Sequence, residues 1–227
     1  MRTSARLLRL ADSAFPGGGF AFSSGLEGAA ADGLVVTEAD LVAFVHEHLA
    51  LRWHRQDRVL LRHAWPPDAA SLAGDSAARR RDRADRLAEA TTTFAWLREA
   101  SRKAGGALLG TFAALGSAPA ADYRAQVSAG RLHGHLPVAT AVCYRDAGAD
   151  LPEAELLSAW AAASGIVSAG LRLGIVGHLG AQRVLTALEA PLDEVLAASP
   201  PLEPGGFSAV AEIAPGRSRS APRLFAN

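Results

Sequence analysis

The histidines are the residues of this chain that could bind a metal ion. His133 and His135 flank a single glycine and could offer two imidazoles, and His178 is a third candidate. A dedicated metal site needs three or four converging ligands, usually with acidic or thiolate members. The sequence fixes no such set. We therefore expect no stably bound metal and, at most, transient contact with a transition metal at these histidines.

Cys143 is the only cysteine, and it lies eight residues after His135. On a helix this spacing puts both on the same side but separates them by about 12 Å along the axis. A cysteine–histidine nucleophile is therefore disfavoured, and Cys143 is interpreted as a small buried hydrophobe. One cysteine also allows no intramolecular disulfide, which indicates a reducing compartment.

The run Gly17–Gly19 between Phe15 and Phe20 could bring backbone N–H groups close to a phosphate. A phosphate-binding loop requires a strand before the glycines and a Gly-Lys-Ser or Gly-Lys-Thr after them. Neither is found here, so a turn or a packing role is favoured.

Arg79, Arg80 and Arg81 suggest nucleic-acid binding at first. The acidic residues Asp82, Asp85 and Glu89 are interleaved with the basic ones, which predicts an exposed, solvated helix instead. The whole chain of 227 residues has 23 basic and 23 acidic residues and a formal net charge of zero. This balance argues against a general nucleic-acid binder.

The elements that position these residues are predicted to be helices. The chain contains 50 alanines and shows no long alternating pattern typical of a strand. The fold class is therefore all-α: one helical domain over residues 1–207 and a flexible C-terminal tail over 208–227. Thr37 with Asp40 three residues later is a weak form of a capping box, so a helix is predicted from Thr37 to Arg52. It continues or restarts through Leu61, until Trp65-Pro66-Pro67 forces it to stop. Helices are also predicted at 4–14, 76–90, 91–115, 123–132, 137–145, from 151 to about 174, and between Pro191 and Pro200, with a turn at 119–122.

Neither of the two uncharged runs, 104–121 and 156–171, is suited to span a membrane. The first contains four glycines and a proline, and the second has about 16 residues where roughly 20 strongly apolar ones are needed. The N-terminus lacks the apolar core of a secretion signal. We therefore expect a cytoplasmic protein without membrane association.

Gly170, Gly174, Gly177 and Gly180 are spaced by four and three residues. On a helix this spacing would form a groove for close packing of another backbone, which is the favoured interpretation. If the helix breaks between Gly174 and Gly180, the segment becomes a loop between two core helices.

Several motifs occur in an order that resembles the UreF family of urease accessory proteins. The opening Leu7–Glu27 contains a leucine-rich turn, Pro-Gly-Gly-Gly-Phe, a serine and Gly-Leu-Glu. Further matching pieces are Arg98-Glu99-x-Ser101 with Gly105, His135-x-Pro137-Val138, Arg172-Leu173 with Gly177, Gln182-Arg183, and Arg223-Leu224-Phe225. The resemblance covers essentially the full length.

Resemblance to UreF implies an all-helical homodimer without enzymatic activity. It would join the accessory protein UreD, also called UreH, and the GTPase UreG, so that nickel enters apo-urease. Nickel would be handled by the complex and GTP by the partner GTPase. The resemblance places these residues at a partner surface, a dimer interface or a channel: Pro16, Gly18, Gly19, Phe20, Ser23, Gly25, Glu27, Arg102, Gly105, His135, Arg172, Gly177, Gln182, Arg223 and Phe225.

The chain departs from the family pattern at two places. Ile175 and His178 stand where the family has proline and glutamine, and Pro215–Pro222 replaces a Met-Arg-His-Glu-x-x-Tyr-Ser stretch. In the family this tail contributes to docking on UreD. The alternative function is a small cytosolic helical enzyme, or a metal- or nucleotide-binding protein, that uses Gly17–Gly19 and His133/His135.

Overall fold

The computed structural model describes residues 5–12, 15–17, 22–66 and 76–209. All regular elements within these ranges are helical, which confirms the predicted fold class. The helices are α1 (Ala5–Ala11), α2 (Leu26–Ala31), α3 (Glu38–Glu47), a π-helical segment (His48–Asp57), α4 (Arg58–Ala64), α5 (Ala77–Thr91), α6 (Ala95–Ala114), α7 (Ala118–Ser128), α8 (Leu136–Asp146), α9 (Leu151–Arg172), α10 (His178–Ala187) and α11 (Glu189–Ala197). The predictions made for Gly18, Gly19, Phe20, Arg223, Phe225 and residues 210–227 lie outside the described residues.

Local capping explains where α3 and α5 begin. The Thr37 side chain accepts from the Asp40 N–H, and the Asp40 carboxylate accepts from the Thr37 N–H. This reciprocal pair is the predicted capping box. Ser76 accepts from the Arg79 N–H in the same way at the start of α5.

The start of α7 differs from the prediction. A turn was expected at 119–122, but α7 begins at Ala118 and contains that segment in its first turn. Ser117 caps the helix through the Ala120 N–H, and proline is tolerated in the first turn because no helical acceptor is available for its missing N–H. Helix α2 was not predicted, because its six residues are too few to show a periodic pattern.

The helix predicted from Thr37 to Arg52 continues through Leu61 without a break, with one change of helix type inside it. Its middle, His48–Asp57, is π-helical. Helical periodicity cannot distinguish the two types in so short a segment. The run ends at Ala64, just before Trp65 and Pro66, as predicted.

The glycine series does not form the favoured helical groove. Helix α9 ends at Arg172, Gly174 adopts a φ of +75°, and α10 begins at His178, so the segment is a loop between two helices. The predicted close packing is found at one end of the series: Gly170 in α9 lies against Leu41 of α3, where an added Cβ would be 2.7 Å from the Leu41 Cδ2.

The described residues cluster into two compact units. The first contains Met1–Gly18 and Asp57–Ser158, and the second Gly19–Gln56 and Ala159–Asn227. In the first unit α6 packs on α7 and α8, and α4 packs on α5 and α8. Its core contains Cys143, which is fully buried as predicted. Burial raises the pKa of the Cys143 thiol, so the thiol stays protonated.

The core of the second unit draws most on α9 and α3, with further residues from α2, the π-helical segment, α10 and α11. Leu41, Leu49 and Trp53 pack there with small α9 residues such as Ala163. The predicted boundary between domain and tail at 207/208 stays a prediction. Ser208 itself is 1% exposed.

Helix α9 has 22 residues, more than the 16 of the uncharged run, and by length and composition alone it could cross a membrane. Ala154 lies in the core of the first unit, whereas Ala159, Ile166 and Val167 lie in the core of the second. A core helix passes the same test of length and composition, so this helix is weak evidence for a membrane span.

Candidate functional site

A polar cluster lies inside the first unit, where α5 and α6 meet the turn before α8. We call it the His135 cluster and define it by Asp85, Glu89, Ser101, Arg102 and His135. Two of its members, Asp85 and Glu89, are four residues apart and therefore project from the same face of α5. That face also buries Ala84 and Ala88, which explains why the two carboxylates point inward.

The Asp85 carboxylate fixes the backbone around His135. It accepts hydrogen bonds from the N–H groups of His133 (2.6 Å), Gly134 (3.0 Å) and His135 (3.0 Å). The Tyr123 hydroxyl donates a fourth bond, at 2.6 Å. Asp85 is fully buried, so these donors replace its lost hydration. Burial, together with the nearby Asp85 charge, raises the pKa of Tyr123 well above its usual value.

His135 is 1% exposed and uses both ring nitrogens. Its Nε2 lies 2.8 Å from the Glu89 Oε2, and its Nδ1 lies 3.2 Å from the Ser101 Oγ. The Ser101 Oγ also accepts from the Leu136 N–H at 3.1 Å. One assignment satisfies every group: Nε2–H donates to Glu89, and the Ser101 hydroxyl donates to Nδ1. Burial lowers the pKa of His135 despite its bond to Glu89, which agrees with this neutral form.

Glu89 connects the buried histidine to the surface. Burial disfavours its charge, but hydrogen bonds from Arg102 and His135 outweigh burial, and its pKa is lowered. Arg102 binds the carboxylate through both Nε and Nη2. The Arg98 Nε lies 3.5 Å and the His133 Nδ1 3.8 Å from Glu89 oxygens. Three cationic or titratable groups therefore face one carboxylate at the outer edge of the cluster.

Gly105 lets α6 approach the His135 turn closely. A Cβ at this position would lie 2.1 Å from the Gly134 carbonyl oxygen and 2.8 Å from the Leu136 nitrogen. Gly134 has a φ of +81°, a conformation that favours glycine. The glycine between the two histidines is thus needed for the turn, and Gly105 is needed for the contact.

Ser101, His135 and Glu89 follow the order of a nucleophile, a base and an acid. The geometry differs from that of a catalytic triad. The imidazole is almost fully buried, and the Ser101 oxygen already accepts the Leu136 N–H. Among the described residues, no group of three or more His, Cys, Asp or Glu side chains is arranged to hold a metal ion. The cluster is best suited to holding the helices in place and presenting Arg102 and His133 at the surface.

The structure brings together three residues that the resemblance singled out, namely Arg102, Gly105 and His135. His133 is adjacent, with its ring centroid 6.0 Å from that of His135. Pro16 lies elsewhere in the first unit, where its carbonyl oxygen accepts from the Thr111 hydroxyl at 2.9 Å.

The other described candidates belong to the second unit. Ser23 is fully buried, and Gly25, with a φ of +87°, directly precedes α2, whose first turn contains Glu27. Gly177 directly precedes α10, while His178 and Gln182 are exposed on that helix. Arg172, the last residue of α9, has its pKa lowered by partial burial. His178 is thus in a different unit from His133 and His135.

Sequence reasoning missed Asp85 and Glu89 as parts of the site and placed Arg81 on a solvated face. Arg81 is 7% exposed, binds Asp82 and Asp122, and covers the Tyr123 ring with its guanidinium carbon 5.0 Å from the ring centroid. The solvated-face prediction is wrong for Arg81, although Arg79 and Arg83 are exposed. The missed signal was the four-residue spacing of Arg81, Asp85 and Glu89, which puts all three on one face.

Comparison with known proteins agrees with the resemblance. The sequence model of the UreF family matches residues 35–189. A urease accessory protein UreF of Arthrobacter sp. (strain FB24) is 31% identical over 96% of this chain and 95% of its own length. Its counterpart in Rhizobium etli (strain CIAT 652) is 35% identical over 97% of this chain and 94% of its own length. The chain therefore belongs to the UreF family of urease accessory proteins.

Proposed function

We propose that this protein is a non-catalytic adaptor for urease maturation. It joins a UreD/UreH-type protein and the GTPase UreG, so that nickel is inserted into apo-urease, and it acts in the cytoplasm as a homodimer. The single observation that carries this proposal is the near full-length match to proteins named urease accessory protein UreF. Nickel is the cargo of the assembled complex, and GTP is bound by the partner.

The geometry of the His135 cluster supports an adaptor role. Its polar groups hold α5, α6 and the turn before α8 together, and the Ser101 hydroxyl is bonded to the His135 ring and to the Leu136 N–H. At its outer edge Arg102 and His133 have 40% and 38% of their side chains exposed. Arginine is enriched at protein–protein interfaces, so the exposed Arg102 supports a partner contact at this edge.

Reconstitution with partner proteins tests the adaptor function. The full chain is co-expressed with UreD- and UreG-type proteins and purified through a tag on this chain, with nickel and GTP present. We expect all three proteins to co-purify. In cells that lack this gene, urease should contain no more than background nickel by elemental analysis. Failure to capture either partner, together with unchanged urease nickel content in the deletion strain, would overturn the proposal.

A matched pair of variants tests the α10 surface that the resemblance singled out. Gln182 and Thr186 are both exposed and lie four residues apart on α10. Gln182→Arg should weaken partner capture or dimer formation, whereas Thr186→Arg measures the nonspecific effect of a new charge on this helix. Equal capture by both variants would remove Gln182 from the proposed surface.

Equilibrium dialysis of the isolated protein separates the adaptor from the alternative enzyme or ligand-binding protein. An adaptor should bind nickel only weakly and bind no nucleotide. Stoichiometric binding of nickel or GTP without partners, with nickel binding lost in a His133→Ala variant that keeps its fold, would favour the alternative.

A further inference from the structure

The π-helical segment His48–Asp57 has ten residues. Hydrogen bonds in a π-helix join residues five apart, and most π-helices in proteins are single-turn insertions. A change from this pattern to the i→i+4 pattern of α4 leaves one carbonyl group without a donor from the helix. Such a segment persists only where neighbouring groups stabilise it.

Residues 201–208, which we call the strap, run against this segment within the second unit. The Gly205 N–H donates to the Arg55 carbonyl oxygen at 3.1 Å, close to the point where α4 begins. The Gly206 N–H donates to the Oε1 of Gln56, a fully buried side chain, at 3.4 Å. Two consecutive strap amides are therefore bound to the last residues of the π-helical segment.

Gly206 is the point of closest approach. An added Cβ would lie 2.7 Å from the Leu51 carbonyl oxygen and 2.9 Å from the Arg52 carbonyl oxygen. Both atoms are backbone atoms, so they cannot move aside without moving the helix. Gly205 differs, because no atom lies within 4 Å of its added Cβ. The strap thus fits the π-helical backbone at one position where only glycine is accommodated.

Ser208, the last residue of the strap, forms a hydrogen bond with Glu47. Its hydroxyl donates to the Glu47 Oε1 at 2.8 Å, and Ser208 is 1% exposed. Glu47 is the last residue of α3, directly before the π-helical segment begins. The strap therefore bonds to Glu47, directly before the segment, and to Arg55 and Gln56 near its end. It contacts the middle of the segment through Gly206.

We propose that the strap is a latch that holds residues 48–57 in the π-helical form. The closed latch supplies the Gly205 N–H as a donor to the Arg55 carbonyl oxygen near the π-to-α junction, and an open latch leaves the π-helical form without this support. This inference is independent of the proposed function in urease maturation.

Hydrogen–deuterium exchange on the full-length protein tests the latch, with Gly206→Ala compared with Gly205→Ala. Gly206→Ala should raise the exchange rate of amides in residues 48–57 at least tenfold, while amides of α6 in the first unit keep their rates. Gly205→Ala should match the original protein, because its methyl group meets no atom. Unchanged exchange in Gly206→Ala, or an equal increase in both variants, would overturn the proposal.

Ser208→Ala is the second variant, in case Gly206→Ala does not fold. It removes the hydroxyl that donates to Glu47 and should raise exchange most strongly near His48. A crystal structure of the same variant gives a direct readout. An open strap over an unchanged π-helical segment would show that the strap does not control the helix type and would overturn the proposal.

Discussion

The Nε2 of His135 lies 2.8 Å from the Oε2 of Glu89, and this contact joins the turn before α8 to the inner face of α5. The two residues are 46 positions apart in the sequence. Because His135 is buried and neutral while Glu89 also binds Arg102, the pair connects the interior of the first unit to its surface.

Removing His135 should destabilise the protein strongly. His135→Ala leaves Glu89 and Ser101 without their buried partner and opens a cavity, which we expect to lower the free energy of unfolding by roughly 2–4 kcal/mol. His133→Ala, whose side chain is 38% exposed, is the control and should cost less than about 0.5 kcal/mol. Urea titration followed by circular dichroism measures both. If both variants lost similar, small amounts of unfolding free energy, the His135 contacts would contribute little to stability.

Gly105 and Gly106 provide a matched pair in α6. Gly105→Ala should cost about 3 kcal/mol, because its methyl group would overlap the Gly134 carbonyl group. Gly106→Ala meets no atom within 4 Å and should stabilise the helix by roughly 0.5–1 kcal/mol. Thermal unfolding would show the opposite shifts in Tm. Shifts of the same sign would contradict the predicted close approach at Gly105.

Substitutions at Tyr123 and Asp85 should lower the free energy of unfolding by different amounts, although the two residues share a hydrogen bond. Tyr123→Phe removes one donor from Asp85 and should cost about 1 kcal/mol, since three backbone N–H groups still bind the carboxylate. Asp85→Ala leaves all three N–H groups buried without an acceptor, so its cost should be roughly 3 kcal/mol or more. Denaturant unfolding compares the two. A larger effect of Tyr123→Phe would place the main interaction at the hydroxyl group.

Two histidines with lowered pKa values, the buried His135 and the half-buried His48, should make the protein less stable as the pH falls from 7.5 to 5. Burial lowers the pKa of His135 and lowers that of His48 from 6.5 to about 3. Below pH 6.5 the unfolded chain therefore binds protons that the folded chain does not, and the free energy of unfolding falls. Each histidine contributes at most about 1.4 kcal/mol per pH unit.

The control for this pH effect is His48→Gln, which should make the decline shallower without changing the unfolding midpoint greatly at pH 7.5. Urea midpoints at several pH values between 5 and 7.5 give the slope. This range lies above the pH at which the carboxylates with lowered pKa values titrate. A slope that is the same with and without His48 would exclude it as a source of the pH dependence.

The sequence by itself determined where several helices begin and end, through interactions between residues close together in the chain. Thr37 and Asp40 predicted the start of α3, and Trp65-Pro66 predicted the end of α4, because capping and proline act through bonds to near neighbours. The ordered motifs of the chain were also sufficient to indicate the UreF family. Cys143 was predicted to be a small buried hydrophobe because its spacing from His135 disfavours a nucleophile, and it is buried.

Only the tertiary structure decided which polar groups meet. Asp85 and Glu89 were interpreted as surface charges that balance neighbouring arginines, yet their partners come from residues 13 to 50 positions away. The strap and the π-helical segment are 150 positions apart at Gly206 and Gln56. A helix is specified by contacts three or four residues apart, whereas such pairings depend on which helix faces pack together. Periodicity predicts that a face is buried, but it does not state what that face will contact.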